Sequence, residues 1–263
     1  KIDSVKLESI TSDLITSWRN QELDGLNPSD RRSRQTTINS TLNQARSLWK
    51  YCDFPNPFKD LKWKQTTKRF KPQIDASALL FLAKDELEKD YFEQYKALTL
   101  CLFLGLRRSE ADCLTWDQVD FSTQKVKIDN TDYFKPKSED AIREIPIPRS
   151  LFENIDYWKS ISDEIFVLSG GLAKPNCSYD YYRANATWKP LLKWLRSKGL
   201  EAKKPLHDVR KLAGSLMYEN HDIYAAQRFL GHSDIRTTIS SYIHEGEKSF
   251  DIIPERPRPK LVS

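Results

Sequence analysis

The sequence predicts a mainly α protein with a small antiparallel β-sheet, organised in two domains. Apolar residues recur at helical spacing through most of the 263-residue chain, which indicates helices that bury one face. Only two short runs, residues 124–130 and 142–147, alternate between apolar and polar residues as strands do. A chain of this length is sufficient for two domains of ordinary size.

The N-terminal part is predicted to be a small helical domain. Residues 8–20 and 34–53 show helical spacing, and the second segment has one apolar face made of Ile38, Leu42, Ala45, Leu48 and Trp49. Residues 21–33 are polar and rich in turn-forming residues, so we expect a loop there. The predicted boundaries are 1–61 for this domain, 62–74 for a basic linker and 75–263 for the second domain with its C-terminal tail.

The second domain is predicted to be helical around the small sheet. Residues 84–104 end in a segment that is apolar nearly all round, which indicates a buried helix. Asp222 can cap the start of a later helix and Gly231 can close its end. Further helices are predicted at residues 149–160, 178–198, 207–219 and 222–230.

Charge is distributed unevenly along the chain. Residues 1–72 contain 14 Lys and Arg against 8 Asp and Glu, a net charge of +6, whereas the remainder carries −1. This asymmetry favours a polyanionic partner held largely by the N-terminal domain, although a solvated basic surface would have the same composition.

No apolar stretch is long enough for a membrane span, and no cysteine pair has CxxC spacing, which argues against a zinc site.

Three segments place unusual polar groups in apolar surroundings. Arg107 directly follows the buried helix, and a buried guanidinium needs an anionic partner, which Glu110 could provide. His207 and Arg210 are three residues apart and share a helix face, an arrangement that suits a phosphate gaining charge during a reaction. His232 follows a helix stop at Gly231 and precedes Tyr242. Taken singly, each segment is also explained by ordinary structural contacts.

The order and spacing of these segments resemble the tyrosine recombinase (phage integrase) family. Gly105-Leu-Arg-Arg-Ser-Glu110 looks like the family's first-arginine box, and His207-Asp-Val-Arg210 looks like its HxxR box. Lys135-Pro-Lys-Ser138, leading to Arg143-Glu-Ile-Pro-Ile147, resembles the β-hairpin region that carries a lysine. Leu230-Gly-His-Ser233 with Tyr242 resembles the C-terminal box. The resemblance implies a helical core-binding domain followed by a mixed α/β catalytic domain.

The resemblance also implies a role for each site residue. Tyr242 would be the nucleophile that attacks a DNA phosphate, with His207 as its base. Arg107 and Arg210 would hold the non-bridging oxygens, His232 would add a hydrogen bond, and Glu110 would support Arg107. Lys137 would protonate the leaving 5′-oxygen. The resemblance implies that the reaction would pass through a 3′-phosphotyrosyl intermediate and a Holliday junction and would need neither a cofactor nor a metal.

The sequence departs from the family pattern at two points. Tyr242 follows His232 at an interval of ten positions, where nine is typical of the family, which indicates an extra loop residue. The lysine region offers two candidates, Lys135 and Lys137, of which Lys137 fits the register counted back from Pro146 better.

The partners implied are double-stranded DNA carrying recombination sites, a homo-tetramer on synapsed DNA and possible accessory DNA-bending proteins, with no membrane. We expect a cytoplasmic protein that joins the nucleoid when bound to DNA. The absence of a start Met indicates an N-terminally truncated domain.

The alternatives are a type IB topoisomerase-like relaxing enzyme and a catalytically silent DNA-binding module. Candidate DNA contacts in the first domain are Arg31, Arg32, Arg34, Thr36, Thr37, Asn39 and Asn43.

Overall fold

The computed structural model describes residues 6–63, 74–136, 138–173, 181–200 and 204–242. The chain divides into two compact units between residues 68 and 69. Most of the predicted linker 62–74 lies outside the described residues. The predicted fold class, mainly helical with a small antiparallel sheet, is confirmed.

The N-terminal unit consists of a short 3₁₀ helix, Leu7–Ser9, and two α-helices, α1 (Ser12–Leu23) and α2 (Pro28–Trp49). Its core is an apolar cluster in which the rings of Trp49 and Phe58 meet edge to face, with centroids 5.7 Å apart. The other buried members are Ile15, Leu23, Ile38, Leu42 and Leu61.

Two predictions for this unit are wrong. The expected loop over residues 21–33 is confined to residues 24–27, since α1 continues to Leu23 and α2 begins at Pro28. The side chain of Asn27 caps α2 by accepting from the Asp30 N–H at 2.9 Å. Proline is favoured at the first helical position, where its missing N–H costs nothing. Leu48 does not join the buried face, since its exposed fraction is 69%.

The second unit is mainly helical. Its helices are α3 (Ala76–Glu86), α4 (Phe92–Phe103), α5 (Arg108–Asp112), α6 (Arg149–Ser160), α7 (Asn185–Ser197), α8 (Pro205–Asn220), α9 (Ile223–Leu230) and α10 (Ile235–Tyr242), with 3₁₀ turns at Trp116–Gln118 and Glu139–Ala141. The single helix predicted over residues 84–104 is wrong, because a turn at residues 87–90 separates α3 from α4. Helix α4 is buried along residues 95–102 and packs against α7 and α8.

The sheet has three antiparallel strands in the order β1 (Val119–Asp120), β2 (Lys125–Ile128), β3 (Arg143–Pro146). Val126 pairs with Ile145, which places both apolar side chains on the buried face. The two strands predicted from alternation are β2 and β3, whereas β1 is too short to give an alternating pattern. A fourteen-residue connection, 129–142, joins β2 to β3.

Two aspartate side chains, those of Asp112 and Asp222, fix the ends of helices near the candidate site. The buried carboxylate of Asp112, at the end of α5, accepts from the Trp188 Nε1–H at 2.6 Å and from the backbone N–H groups of Arg183 and Ala184. It thereby ties α5 to the beginning of α7. Helix α9 begins at the cap Asp222 and ends at Gly231, which has φ +59°, as the sequence predicts.

Candidate active site

One buried carboxylate, that of Glu110, organises the candidate site. Its exposed fraction is 2%. Glu110 accepts from the backbone N–H of Arg107 at 2.8 Å and from Arg107 Nη1 at 2.6 Å. It also accepts from Arg143 at 2.9 and 3.2 Å, and Arg210 Nη1 lies 3.8 Å away. Burial raises the pKa of this carboxyl, but the attraction of Arg143 and its neighbours outweighs it, so the pKa falls to about 2.

The arginines are also held by main-chain carbonyl groups. Arg210, buried on α8, donates to the carbonyl oxygens of Gly105 and Leu230. Arg107 Nη2 donates to the Gly231 carbonyl at 3.1 Å while its side chain keeps an exposed fraction of 38%. The turns before α5 and after α9 are therefore joined through guanidinium groups, whose planar forks offer five donors each.

Arg143 is a member of the cluster that the sequence analysis did not identify. Its side chain is 6% exposed, and it donates to the carbonyl oxygens of Phe229 and Ala141 as well as to Glu110. The alternation of residues in β3 could have indicated that Arg143 is buried, because it lies on the same face of the strand as the buried Ile145. A Cβ at position 231 would lie 3.2 Å from the Arg143 side chain, so the glycine permits this close approach.

The two histidines of the predicted site are held as neutral imidazoles. Partial loss of hydration and the nearby cations Lys211 and Arg210 lower the pKa of His207. For His232, burial is the largest cause and Arg210 the next, and its pKa falls to about 4. His232 Nδ1 lies 3.0 Å from the hydroxyl of the buried Thr238. When Thr238 donates to Nδ1, the ring proton is on Nε2.

A pocket of about 200 Å³ opens beside this cluster. It is lined by Arg107, Arg108, Leu192, Arg196, Lys204, Pro205, Leu206, His207 and Arg210. Guanidinium donors next to an imidazole suit a bound phosphate, because they can match oxygen atoms that gain negative charge.

The structure thus brings together five of the predicted site residues, namely Arg107, Glu110, His207, Arg210 and His232. Lys137 lies outside the described residues, and the exposed Lys135 is on the connection between β2 and β3. Tyr242 is the last residue of α10, a helix that the sequence analysis did not predict, and its side chain lies outside the described part of the structure.

The candidate DNA contacts in the N-terminal unit lie along α2. Arg34 forms an ion pair with Glu22, and Asn39 accepts from Gln35 at 2.9 Å. The hydroxyl groups of Thr36 and Thr37 donate to helix carbonyls one turn back. Asn39 is half-buried; the exposed residues are Arg31, Arg32, Arg34, Thr36, Thr37 and Asn43. Their contacts with DNA stay a prediction.

The fold and this cluster define a mainly helical protein with a cationic pocket lined by arginine, lysine and histidine. The chain belongs to the phage integrase family, whose family model matches residues 73–248. The resemblance to tyrosine recombinases drawn from the sequence is confirmed. Among the described residues, no helix is long and apolar enough to cross a membrane.

The curated relatives include an integrase and a tyrosine recombinase. The ICEBs1 integrase of Bacillus subtilis (strain 168) is 23% identical over 159 residues, which cover 56% of this chain and 43% of that protein. The tyrosine recombinase XerC of Actinobacillus pleuropneumoniae serotype 7 (strain AP76) is 25% identical over 185 residues, covering 70% and 58%. This chain spans about half the length of the curated relatives it matches.

Solved structures of similar fold include integrases bound to DNA. The Tn1549 transposon integrase in complex with transposon right end DNA superposes with a TM-score of 0.60 at 21% identity, covering 92% of this chain and 84% of that one. A lambda integrase dimer bound to a COC′ core site gives 0.60 at 17% identity, covering 95% and 85%. A lambda integrase tetramer bound to a Holliday junction gives 0.54 at 15%, covering 87% and 66%.

The depressed pKa of His232 makes stability depend on pH. The folded protein resists protonation down to about pH 4, whereas an unfolded histidine titrates near 6.5. The unfolded state therefore binds more protons between these values, and stability falls as the pH decreases through that window. We expect His232 to account for a loss of about 1 kcal/mol between pH 7 and pH 5, a figure that allows for solvent screening of a partly exposed ring.

Urea unfolding of His232→Gln across pH 5 to 7 measures this contribution. The variant should show a flatter dependence than the unmodified protein. His221→Gln is the matched control, because His221 is an exposed histidine at the end of α8. Equal slopes for the unmodified protein and His232→Gln would contradict the assignment.

Proposed function

We propose that this chain is a site-specific DNA recombinase that cleaves and rejoins DNA strands by transesterification. The observation that carries the proposal is the Glu110-centred cluster, which places Arg107 and Arg210 beside His207 in one pocket. Family membership and the DNA-bound structures of similar fold support the same function.

The two guanidiniums act on the phosphate in this proposal. A phosphodiester carries one negative charge, and its transition state concentrates further charge on the non-bridging oxygens. Arg107 and Arg210 would donate to those oxygens, and their orientation by Glu110 and main-chain carbonyls means that little reorganisation accompanies the reaction. His232 would add a donor through Nε2–H.

Tyr242 would supply the nucleophile. A phenol has a pKa near ~10, so at neutral pH it needs a base or a strongly cationic environment. The lowered pKa of His207 leaves its imidazole uncharged and able to accept the phenolic proton. The Tyr242 oxygen then bonds to phosphorus as the bond to the 5′-oxygen breaks, and Lys137 would protonate that leaving oxygen.

The products would be a 3′-phosphotyrosyl link and a free 5′-hydroxyl. Attack by the 5′-hydroxyl of a partner duplex reverses the step and releases Tyr242, so one ester is exchanged for another. Two such exchanges pass through a Holliday junction. The proposed assembly is a homo-tetramer on two synapsed duplexes. Accessory DNA-bending proteins would be further partners, and the complex would act in the cytoplasm at the nucleoid. The lambda integrase tetramer bound to a Holliday junction supports that arrangement.

Tyr242→Phe tests the nucleophile. We expect this variant to keep DNA binding but to form no covalent complex, because only the attacking oxygen is removed. The substrates are nicked duplexes tiled across the DNA that flanks the coding sequence, and covalent complexes are detected by denaturing gel. The exposed Tyr224 on α9 offers a matched control, so Tyr224→Phe should trap DNA normally. Covalent complex with Tyr242→Phe would refute the assignment.

Arg107→Ala and Arg210→Ala test the phosphate-binding guanidiniums. Each should slow covalent-complex formation by on the order of 10²-fold or more, as expected for a donor that acts on transition-state charge. Single-turnover rates on the trapped duplex, at saturating protein, separate this effect from binding. Arg228→Ala on α9 controls for removal of a cation, and a rate loss no larger than in this control would contradict the proposed roles.

A further inference from the structure

The pocket beside the cluster extends beyond the residues that would bind the scissile phosphate. Arg107, His207 and Arg210 form only part of its lining. The remainder comes from the last two turns of α7, the first turn of α8 and Arg108 at the start of α5. These additional residues are Arg108, Leu192, Arg196, Lys204, Pro205 and Leu206.

The lining is strongly cationic. It holds five permanently charged side chains, and none of the described residues that line it is acidic; they are Arg107, Arg108, Arg196, Lys204 and Arg210. Helix α8 also begins here without a side-chain cap, so its N-terminus contributes partial positive charge. A single phosphodiester, with one negative charge, leaves most of this potential unmatched.

Two of these cations are available for a ligand. Arg196 and Lys204 are exposed and form no ion pair with any residue that the structure describes. The guanidinium of Arg108 stacks on the Tyr182 ring, with 3.6 Å to the centroid, and its buried Nε has no hydrogen-bond partner among the described residues. Stacking therefore holds Arg108 in place, where it adds positive charge to the pocket lining.

The enclosed part of the pocket has the size of one phosphate group. Its volume of about 200 Å³ corresponds to roughly seven water molecules at about 30 Å³ each. A phosphate group has five heavy atoms, so a neighbouring phosphate on the same strand would lie at the rim, where Arg196 and Lys204 are exposed. Leu192, Pro205 and Leu206 provide apolar surface for the sugar that joins the two phosphates.

We propose that Arg196 and Lys204 bind the phosphate adjoining the scissile phosphate on the same DNA strand. The inference rests on the proposed function and deepens it, because it assigns a second backbone contact to the same pocket. The deoxyribose between the two phosphates packs on Leu192 and Leu206. Two fixed phosphates define the direction of the strand, so this contact orients the scissile phosphate for in-line attack.

The first test measures non-specific DNA binding and so does not depend on cleavage. The probe is a fluorescent mixed-sequence duplex of about 30 base pairs, titrated at several salt concentrations with Arg196→Ala/Lys204→Ala. Loss of one phosphate contact should reduce the slope of log K against log salt by about 0.9. Lys189→Ala/Lys193→Ala is the control, since it removes two exposed charges from α7 that do not line the pocket.

The second test locates the contact on DNA. In the duplex that the unmodified protein traps covalently, each phosphate adjoining the scissile one is replaced in turn by an uncharged methylphosphonate. One replacement should slow trapping by the unmodified protein and the control variant by roughly tenfold. Arg196→Ala/Lys204→Ala should trap the unmodified duplex about tenfold more slowly than the unmodified protein does. The methylphosphonate should then slow trapping by this variant little further.

The outcomes separate the two proposals. If the unmodified protein traps DNA but both double variants behave alike in slope and rate, the second phosphate contact is wrong and the recombinase function stands. If no duplex is trapped, the recombinase function fails, and the salt slope alone decides whether the pocket binds DNA. Calorimetry with inorganic pyrophosphate is a third measurement. If Arg196→Ala/Lys204→Ala loses pyrophosphate binding while its slope of log K against log salt for DNA is unchanged, the pocket binds free anions and the proposal is overturned.

Discussion

The candidate site depends on one interaction, the burial of the Glu110 carboxylate among three guanidiniums. Removing an isolated carboxylate from water costs several kcal/mol, so Glu110 is tolerated only because Arg107, Arg143 and Arg210 surround it. The arginines depend on Glu110 in turn, because three guanidiniums this close would repel one another without an anion between them. One carboxylate among three cations leaves an excess of positive charge, and that excess is directed at the pocket where Arg107 and Arg210 lie.

The same contacts connect parts of the chain that are far apart in sequence. Arg107 links the start of α5 to the turn at Gly231, and Arg210 links α8 to both turns. Arg143 adds β3 to this set and reaches the carbonyl of Ala141, in the connection that also carries Lys137. A displacement of any one element would therefore disturb the others, which explains how an exposed pocket can be kept in a defined geometry by buried supports.

Much of the fold and part of the site could be predicted from sequence, for identifiable reasons. The resemblance to tyrosine recombinases grouped Arg107, Glu110, His207, Arg210 and His232, and the structure places these residues around one cluster and pocket. Their catalytic roles stay a prediction. Arg143 was missed because an arginine in a short strand resembles an ordinary edge residue until its long-range partner is known. The early start of α2 was also missed, although Asn27-Pro28 is a local cap signal, since the polar composition of residues 21–33 favoured a loop.

A double-mutant cycle tests the central interaction most directly. Unfolding free energies are measured for Glu110→Gln, Arg143→Met and the double variant, beside the exposed ion pair of Lys125 and Glu144 as control. Each single change in the buried pair should destabilise by about 3 kcal/mol or more, and the double variant by less than their sum, with a coupling above about 1 kcal/mol. The exposed pair should couple by less. Additive effects of Glu110→Gln and Arg143→Met, within about 0.5 kcal/mol, would contradict the account.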